Sequence, residues 1–223
     1  MENVTSTAPD PAAQDQAAGS GAAAGRGPFP TAWVTGAIVL GLLLGIGAGL
    51  LIPTFLRPGE SSAEAGFCRD MSSHHAQAVE MSMIAYQRAT DPDVRRLAGD
   101  IALTQHGQIN IMRTWLQNWH LDPTGASTPM TWMPGGAAAV RNGLMPGMAT
   151  PAQITKLQGA TGKDVDVQFL QLMRQHHLGG IHMAQEVIKL SDHDDVTRLA
   201  QTMVNGQQEE LQVLQSLLDK VSA

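Results

Sequence analysis

Two adjacent histidines occur twice in this chain, in the same company each time. The segment Phe67-Cys68-Arg69-Asp70-Met71-Ser72-Ser73-His74-His75 returns 102 residues later as Phe169-Leu170-Gln171-Leu172-Met173-Arg174-Gln175-His176-His177. Both copies reach a methionine six residues past the second histidine, Met81 and Met183. Imidazole nitrogen and thioether sulfur together make the donor set that soft cations select, Cu(I) and its analogue Ag(I) above all. His74, His75, His176 and His177, with Met71, Met81, Met173 and Met183, are therefore candidate ligands for a copper ion. Zinc normally adds thiolate or carboxylate to histidine, and one carboxylate, Glu210, is well placed enough to join the set. A di-iron centre in a helical bundle wants a Glu on each of two helices and Glu-x-x-His on the other two. No Glu-x-x-His stands near either histidine pair.

Such chemistry requires the rings to face one another, and the repeat supplies the elements that do this. The 102-residue offset continues without a gap through Asp93/Asp195, Val94/Val196, Arg96-Leu97-Ala98/Arg198-Leu199-Ala200, Gln105/Gln207 and Leu116/Leu218. Ungapped self-similarity of this length marks a repeated supersecondary unit. Residues 64–89 read as one helix. Asp91-Pro92 ends it and opens the next, with Asp as N-cap and Pro at the first helical position, and that helix runs to about His120. Residues 121–150 form a connector rich in Gly, Pro and Met. Thr150-Pro151-Ala152-Gln153 opens a short helix with a capping box. A third long helix spans about 164–190, and a fourth ends near Val221. The expected fold is all-α: a four-helix bundle made of two repeated hairpins, 64–121 and 163–223, joined by the connector 122–162.

On a helical wheel Met71, His74, His75, Ala78 and Met81 fall on one stripe, and Met173, His176, His177, Gly180 and Met183 repeat it. Ala78 and Gly180 leave room beside the imidazoles. Gly179-Gly180 inside a helix costs roughly 1 kcal/mol per glycine relative to alanine, so space or a close backbone approach is expected there. The partner helices bring Gln105, Gln108 and Met112 in one half and Gln207 and Glu210 in the other onto their inner faces. Buried polar groups must be hydrogen-bonded or ligated. The expectation is a polar layer of His74, His75, Gln105 and Gln108 facing His176, His177, Gln207 and Glu210, with the glutamines and Met112 supporting the ligands. A purely structural hydrogen-bond layer, giving a scaffold or interaction module, is the competing reading. A metal-dependent redox enzyme is a third. The connector methionines Met130, Met133, Met145 and Met148 either add soft ligands or pack the loop over the bundle. His106, His120, His182 and His193 have no counterparts in the repeat, and His182 and Met83 fall off the inner stripe.

The N-terminal third is built differently. Residues 1–30 are Ala-, Gly-, Pro- and Ser-rich without periodicity, the composition of a disordered tail. An uncharged apolar run then covers residues 31–55, long enough for a transmembrane helix and too long for a signal-peptide core. The expectation is a single-pass anchor in the cell membrane, a linker over 56–63, and an extracytoplasmic C-terminal domain. Arg26 before the run and Arg57 after it give no orientation bias. From residue 56 onward there are 13 Lys/Arg against 17 Asp/Glu, a mildly acidic balance that argues against a nucleic-acid partner. One cysteine, Cys68, excludes an internal disulfide and reads as a small buried residue or, as the second reading, a soft metal ligand one turn before Met71. No Gly-x-Ser-x-Gly and no Gly-rich phosphate loop occurs, so nothing points to hydrolysis or nucleophilic catalysis.

Asp70-Met71-x-x-His74-His75 followed by Ala78-Val79-Glu80-Met81 resembles the family catalogued as domain of unknown function 305. So do Asp91-Pro92-x-Val94-x-x-Leu97-Ala98, Gln105-x-x-Gln108-Ile109, Met112-x-x-Trp115-Leu116 and, in the second half, Gln207-x-x-Glu210-Leu211. The resemblance covers about residues 65–220, and the Met145-Pro146-Gly147-Met148 connector is similar to the actinobacterial branch. It implies a ferritin-like helical bundle, exported or membrane-anchored, in a family without a settled activity, some members of which are linked to copper binding or tolerance. Gln108 stands where the family tends to carry Glu, and Gly179-Gly180 follows the second histidine pair. Copper or silver buffering by a membrane-anchored extracytoplasmic protein is the resulting expectation.

Overall fold

The computed structural model describes residues 31–55, 57–125 and 128–223. Among them there are seven helices and no strand, apart from an isolated bridge between Arg141 and Leu144. The tail expected over residues 1–30 lies outside the described residues. The chain divides into two units, Met1–Phe55 and Leu56–Ala223.

The first unit contains α1 (Thr31–Phe55), 25 residues with no acidic or basic side chain. Among the described residues no helix is long and apolar enough to cross a membrane, so the expected membrane span is not met on those residues. The side chains described in α1 are those of 32–47 and 49. Trp33, Ile38, Leu42, Leu43 and Leu44 are all exposed.

The second unit opens with α2 (Ala63–Arg88), whose first turn is closed by the Ser62 hydroxyl accepting from the Ala65 amide. It stops three residues before Pro92. Asp91 then caps α3 (Pro92–Asn118), accepting from the amides of Asp93 and Val94, which satisfies donors that have no intrahelical partner. The α2–α3 turn is held from across the fold by Asp166, 1 % exposed, which accepts from the Thr90 amide and hydroxyl. The connector carries one element that hydrophobic periodicity cannot reveal, the four-residue α4 (Gly136–Ala139). It ends at α5 (Pro151–Gly159), where Thr150 and Gln153 form the capping box. Then follow α6 (Lys163–Leu190) and α7 (Asp194–Ser222).

The four long helices pack as two hairpins, α2 on α3 and α6 on α7, which meet through α2 and α6. The apolar interior is divided in two. One cluster takes Phe67, Cys68 and Met71 from the start of α2, Met112 and Leu116 from α3, Met183 and Val187 from the end of α6, and Val196 and Met203 from α7. The other takes Ala78, Met81 and Ala85 from α2, Ile101 from α3, Phe169, Leu170 and Met173 from the start of α6, and Leu214 from α7. On each of the four helices, buried polar residues lie between the two clusters: His74-His75, Gln105, His176-His177 and Gln207. The apolar stripes thus bury a single polar layer at mid-height of the bundle.

Candidate metal centre

Burial of this layer is nearly complete. His74, His75 and His177 are 0 % exposed and His176 1 % exposed. The rings of His74 and His176, one from each repeat, stack with centroids 3.8 Å apart and planes tilted by 36°. His74 and His75 are 6.5 Å apart, centroid to centroid. Removal from water disfavours the charged imidazolium. Burial is the largest cause that pushes His74 down to about 4 and His75 down to about 3, and it holds His176 well below the ordinary histidine range, with the neighbouring imidazoles adding to each effect. These three rings are neutral at physiological pH, the only protonation state in which imidazole can ligate an ion.

The hydrogen bonds select the tautomer. In all four rings Nε2 faces an oxygen: the Pro146 carbonyl for His74 at 3.1 Å, the Gln108 Oε1 for His75 at 2.7 Å, the His74 carbonyl for His176 at 2.9 Å and the Glu210 Oε2 for His177 at 2.6 Å. Carbonyl and carboxylate oxygens only accept, so the proton is assigned to each Nε2. The lone pair is left on Nδ1. In His74, His75 and His177 that Nδ1 is buried and has no hydrogen-bond partner, and neither has Oε1 of Gln105 or of Gln207. These five atoms of one layer are half of the ten such atoms among the described residues. A ring that donates one N–H to an oxygen and keeps its other nitrogen bare is the arrangement found at protein metal ligands.

The expected site residues sort as follows. His74, His75, His176, His177, Gln105 and Gln207 come together in the layer. Met71 and Met183 lie in the cluster on one side of it, and Met81 and Met173 in the cluster on the other, all four 0 % exposed. The antiparallel hairpins thus pair each methionine with the opposite member of the other repeat. Met112 packs with Met71 and Met183. Glu210, placed among the ligands on sequence grounds, stands instead behind His177 on its Nε2, and Gln108 occupies the matching place behind His75. Among the described residues no group of three or more His, Cys, Asp or Glu side chains is gathered as an ion would require. An ion in this layer would therefore combine imidazole with thioether, which suits a soft cation better than zinc or iron. Met130, Met133 and Met145 pack into the apolar cluster at the α2 N-terminal end. Cys68 is buried there too, and burial pushes its thiol up, away from the thiolate a metal would need.

Several contacts around the layer were not foreseen from sequence. The connector crosses the bundle at the level of the histidines. Gln77 fixes it by a pair of bonds to the backbone of Ala149, donating to its carbonyl at 2.9 Å and accepting from its amide at 2.7 Å. Gly147, at φ +83°, lies over the backbone of Gln175 and His176. A β-carbon on Gly179 would overlap the Pro146 carbonyl oxygen and come 2.7 Å from its carbon. One on Gly180 would come 2.6 Å from Gln207 Oε1. Gly179 therefore admits the strap backbone and Gly180 the glutamine. At the end of the bundle Asp70 accepts from the Met130 amide at 2.6 Å and from Trp132 Nε1 at 2.8 Å, and burial raises its carboxyl above the ordinary range. The only sequence signals for these tethers were polar residues, Asp70 and Gln77, one position from core residues.

The helical hairpins, the repeat and the buried histidine layer define a class, and the comparisons with known proteins identify it. The chain matches the domain of unknown function DUF305 over residues 64–218 and belongs to that family. It is similar to a DUF305 protein from Streptomyces coelicolor, with 45% identity over 74% of this chain and 97% of that one, at a TM-score of 0.69. A DUF305 fragment from Deinococcus radiodurans is 30% identical over 71% of this chain and 96% of that one, at a TM-score of 0.60. The fold is shared with CopM, solved in its Cu(II)-bound form, at 23% identity over 71% of this chain and 97% of that one and a TM-score of 0.55. CopM has also been solved in Cu(I)-bound, Ag-bound and apo forms. A comparison with curated proteins finds no match.

Proposed function

We propose that this protein binds copper, as Cu(I) or Cu(II), and its analogue Ag(I) in the buried histidine layer, and that it buffers or hands over the ion without transforming it. The observation that carries the reading is the set of bare, buried Nδ1 lone pairs on His74, His75 and His177, each ring fixed by an oxygen on its other nitrogen. His176 completes the layer. Met71 with Met183, and Met81 with Met173, are the thioethers on its two sides. The metal-bound forms of CopM lend support at the level of a shared fold.

The proposal includes a site outside the cytoplasm in an anchored chain, and what supports it is the uncharged run over residues 31–55. The Streptomyces coelicolor relative is described as a candidate secreted protein. Sodium carbonate extraction of bacterial membranes tests the tether: the full chain should stay with the pellet, and release into the supernatant refutes it.

The test of the site is metal uptake by the full-length chain carrying no affinity-tag histidines. Wild type should retain copper or silver through dialysis, and the variant with His74, His75, His176 and His177 all changed to Ala should lose it while remaining helical by circular dichroism. Equal stoichiometry in the two proteins discards the site. One observation favours a second reading, a structural hydrogen-bond layer: every Nε2 already has an oxygen partner. That reading requires no rise in melting temperature with Ag(I) or Cu(I), because an ion that binds only the folded chain must stabilise it.

A further inference from the structure

The second histidine of each pair is backed in the same way except at one atom. His75 and Gln108, and His177 and Glu210, are each 33 residues apart, and in each pair the Nε2 meets a side-chain oxygen, at 2.7 Å and 2.6 Å. The α3 residue that backs the first ring is a neutral amide, and the α7 residue that backs the second is a carboxylate. The two rings are equally buried, at 0 % exposure, while the Glu210 side chain keeps 25% of its surface. No Lys or Arg pairs with Glu210 among the described ion pairs, and its partner there is His177. Its contact with the layer is therefore through the His177 ring.

We infer that Glu210 and Gln108 set which oxidation state each half of the layer prefers, Glu210 making the His177 half the one that favours a divalent ion and Gln108 leaving the His75 half to a monovalent one. Glu210 is a positioning residue: it does not touch the ion but pulls on the Nε2 proton, which raises the donor strength of Nδ1. It also adds one negative charge behind the ring. Coulombic attraction scales with the charge of the ion, so this charge acts twice as strongly on Cu(II) as on Cu(I) or Ag(I). Gln108 gives the same ring orientation without the charge. The inference rests on the proposed ion site but adds to it an order of preference that the site alone does not require.

The experiment uses the full-length chain, Glu210→Gln and Gln108→Glu, with Cu(II), Cu(I) and Ag(I) as probes in competition titrations. Mutating an outer-shell partner of a ligand histidine typically costs about 10–100-fold in affinity. For Glu210→Gln the expected loss for Cu(II) is of that order. A charge effect predicts half that loss in logarithmic units for Cu(I) and Ag(I), about 3–10-fold. The difference is an upward shift of the Cu(II)/Cu(I) potential by about 30–60 mV, at ~59 mV per tenfold for one electron. Gln108→Glu should move both selectivity and potential the opposite way, and keeps the test alive if Glu210→Gln folds poorly. A metal-free readout accompanies these: 15N spectra of the imidazoles should keep His177 as the Nε2–H tautomer in Glu210→Gln, since Gln can still accept. Equal losses for monovalent and divalent ions, or an unmoved potential in both variants, overturn the inference and leave the ion site standing. No uptake of any of the three ions by wild type overturns both.

Discussion

Gly179 offers the sharpest test of how the connector is seated on the histidine layer. Replacing a helix-interior glycine by alanine normally stabilises by up to about 1 kcal/mol, through propensity alone. Gly107 in α3 is such a position, since a β-carbon there meets nothing within 4 Å. At Gly179 the same methyl would overlap the Pro146 carbonyl and sit 3.1 Å from Gly147 Cα. The obstacle is backbone, so no rotamer change relieves it. Overpacking of this kind costs typically about 1–3 kcal/mol. Displacing the strap also withdraws the Pro146 oxygen from His74 Nε2, leaving a buried donor unpaired at about 1–3 kcal/mol. After subtracting the propensity gain, Gly179→Ala should destabilise by at least about 1 kcal/mol, where Gly107→Ala stabilises. In a domain of this size each kcal/mol moves the melting midpoint by about 2–4 °C. Urea denaturation and thermal melts of the two single variants decide it. If Gly179→Ala raises the midpoint as Gly107→Ala does, the strap does not rest on α6 and its contact with His74 falls with it.

Other consequences follow from named contacts. Because His74 and His75 titrate near 4 and 3 when folded and near 6.5 when unfolded, the unfolded chain takes up protons first as pH falls. The layer's contribution is complete above about pH 6.5 and is lost progressively toward pH 4, by roughly 3 kcal/mol from His74 alone. Denaturation midpoints measured between pH 7.5 and 4.5 should show this slope, and its absence in the four-histidine alanine variant assigns it. Gln77→Ala removes both bonds to Ala149, so amide exchange at Ala149 in the connector should accelerate with little change in α2. Asp70→Ala frees the Met130 amide and Trp132 Nε1. It should destabilise by about 1–3 kcal/mol and shift the Trp132 fluorescence, and an unchanged melt would contradict the tether.

Local physics made much of this fold readable in advance. Asp91-Pro92 and Thr150-Pro151-Ala152-Gln153 each combine a capping side chain with a proline that fits the first turn, so those helix starts follow from a few adjacent residues. The 3.6-residue period put both histidine pairs on buried faces, and the repeat put them at one level. What escaped was non-local. Whether Glu210 would face an ion or the far side of an imidazole depends on the separation of α6 and α7, which no single-helix wheel contains. The strap was equally hidden, because its contact with His74 is a backbone carbonyl and carries no side-chain signature. The doubled glycine at 179–180 did signal crowding, but only the packed bundle divides it between Pro146 and Gln207. The connector methionines looked equally fit for ligation and for packing, and Met130, Met133 and Met145 lie in the apolar cluster. Over 31–55 the apolar run does form a helix, α1.

The central claim is that a soft ion is held by the bare Nδ1 atoms of the buried layer. Long-range 1H–15N spectra of the imidazoles, recorded on the full-length chain during titration with Ag(I), address it atom by atom. The account predicts that Nδ1 of His74, His75 and His177 shifts on saturation while every Nε2 keeps its proton. Silver-dependent shifts confined to exposed rings such as His106 and His182, with the buried four unchanged, would contradict it.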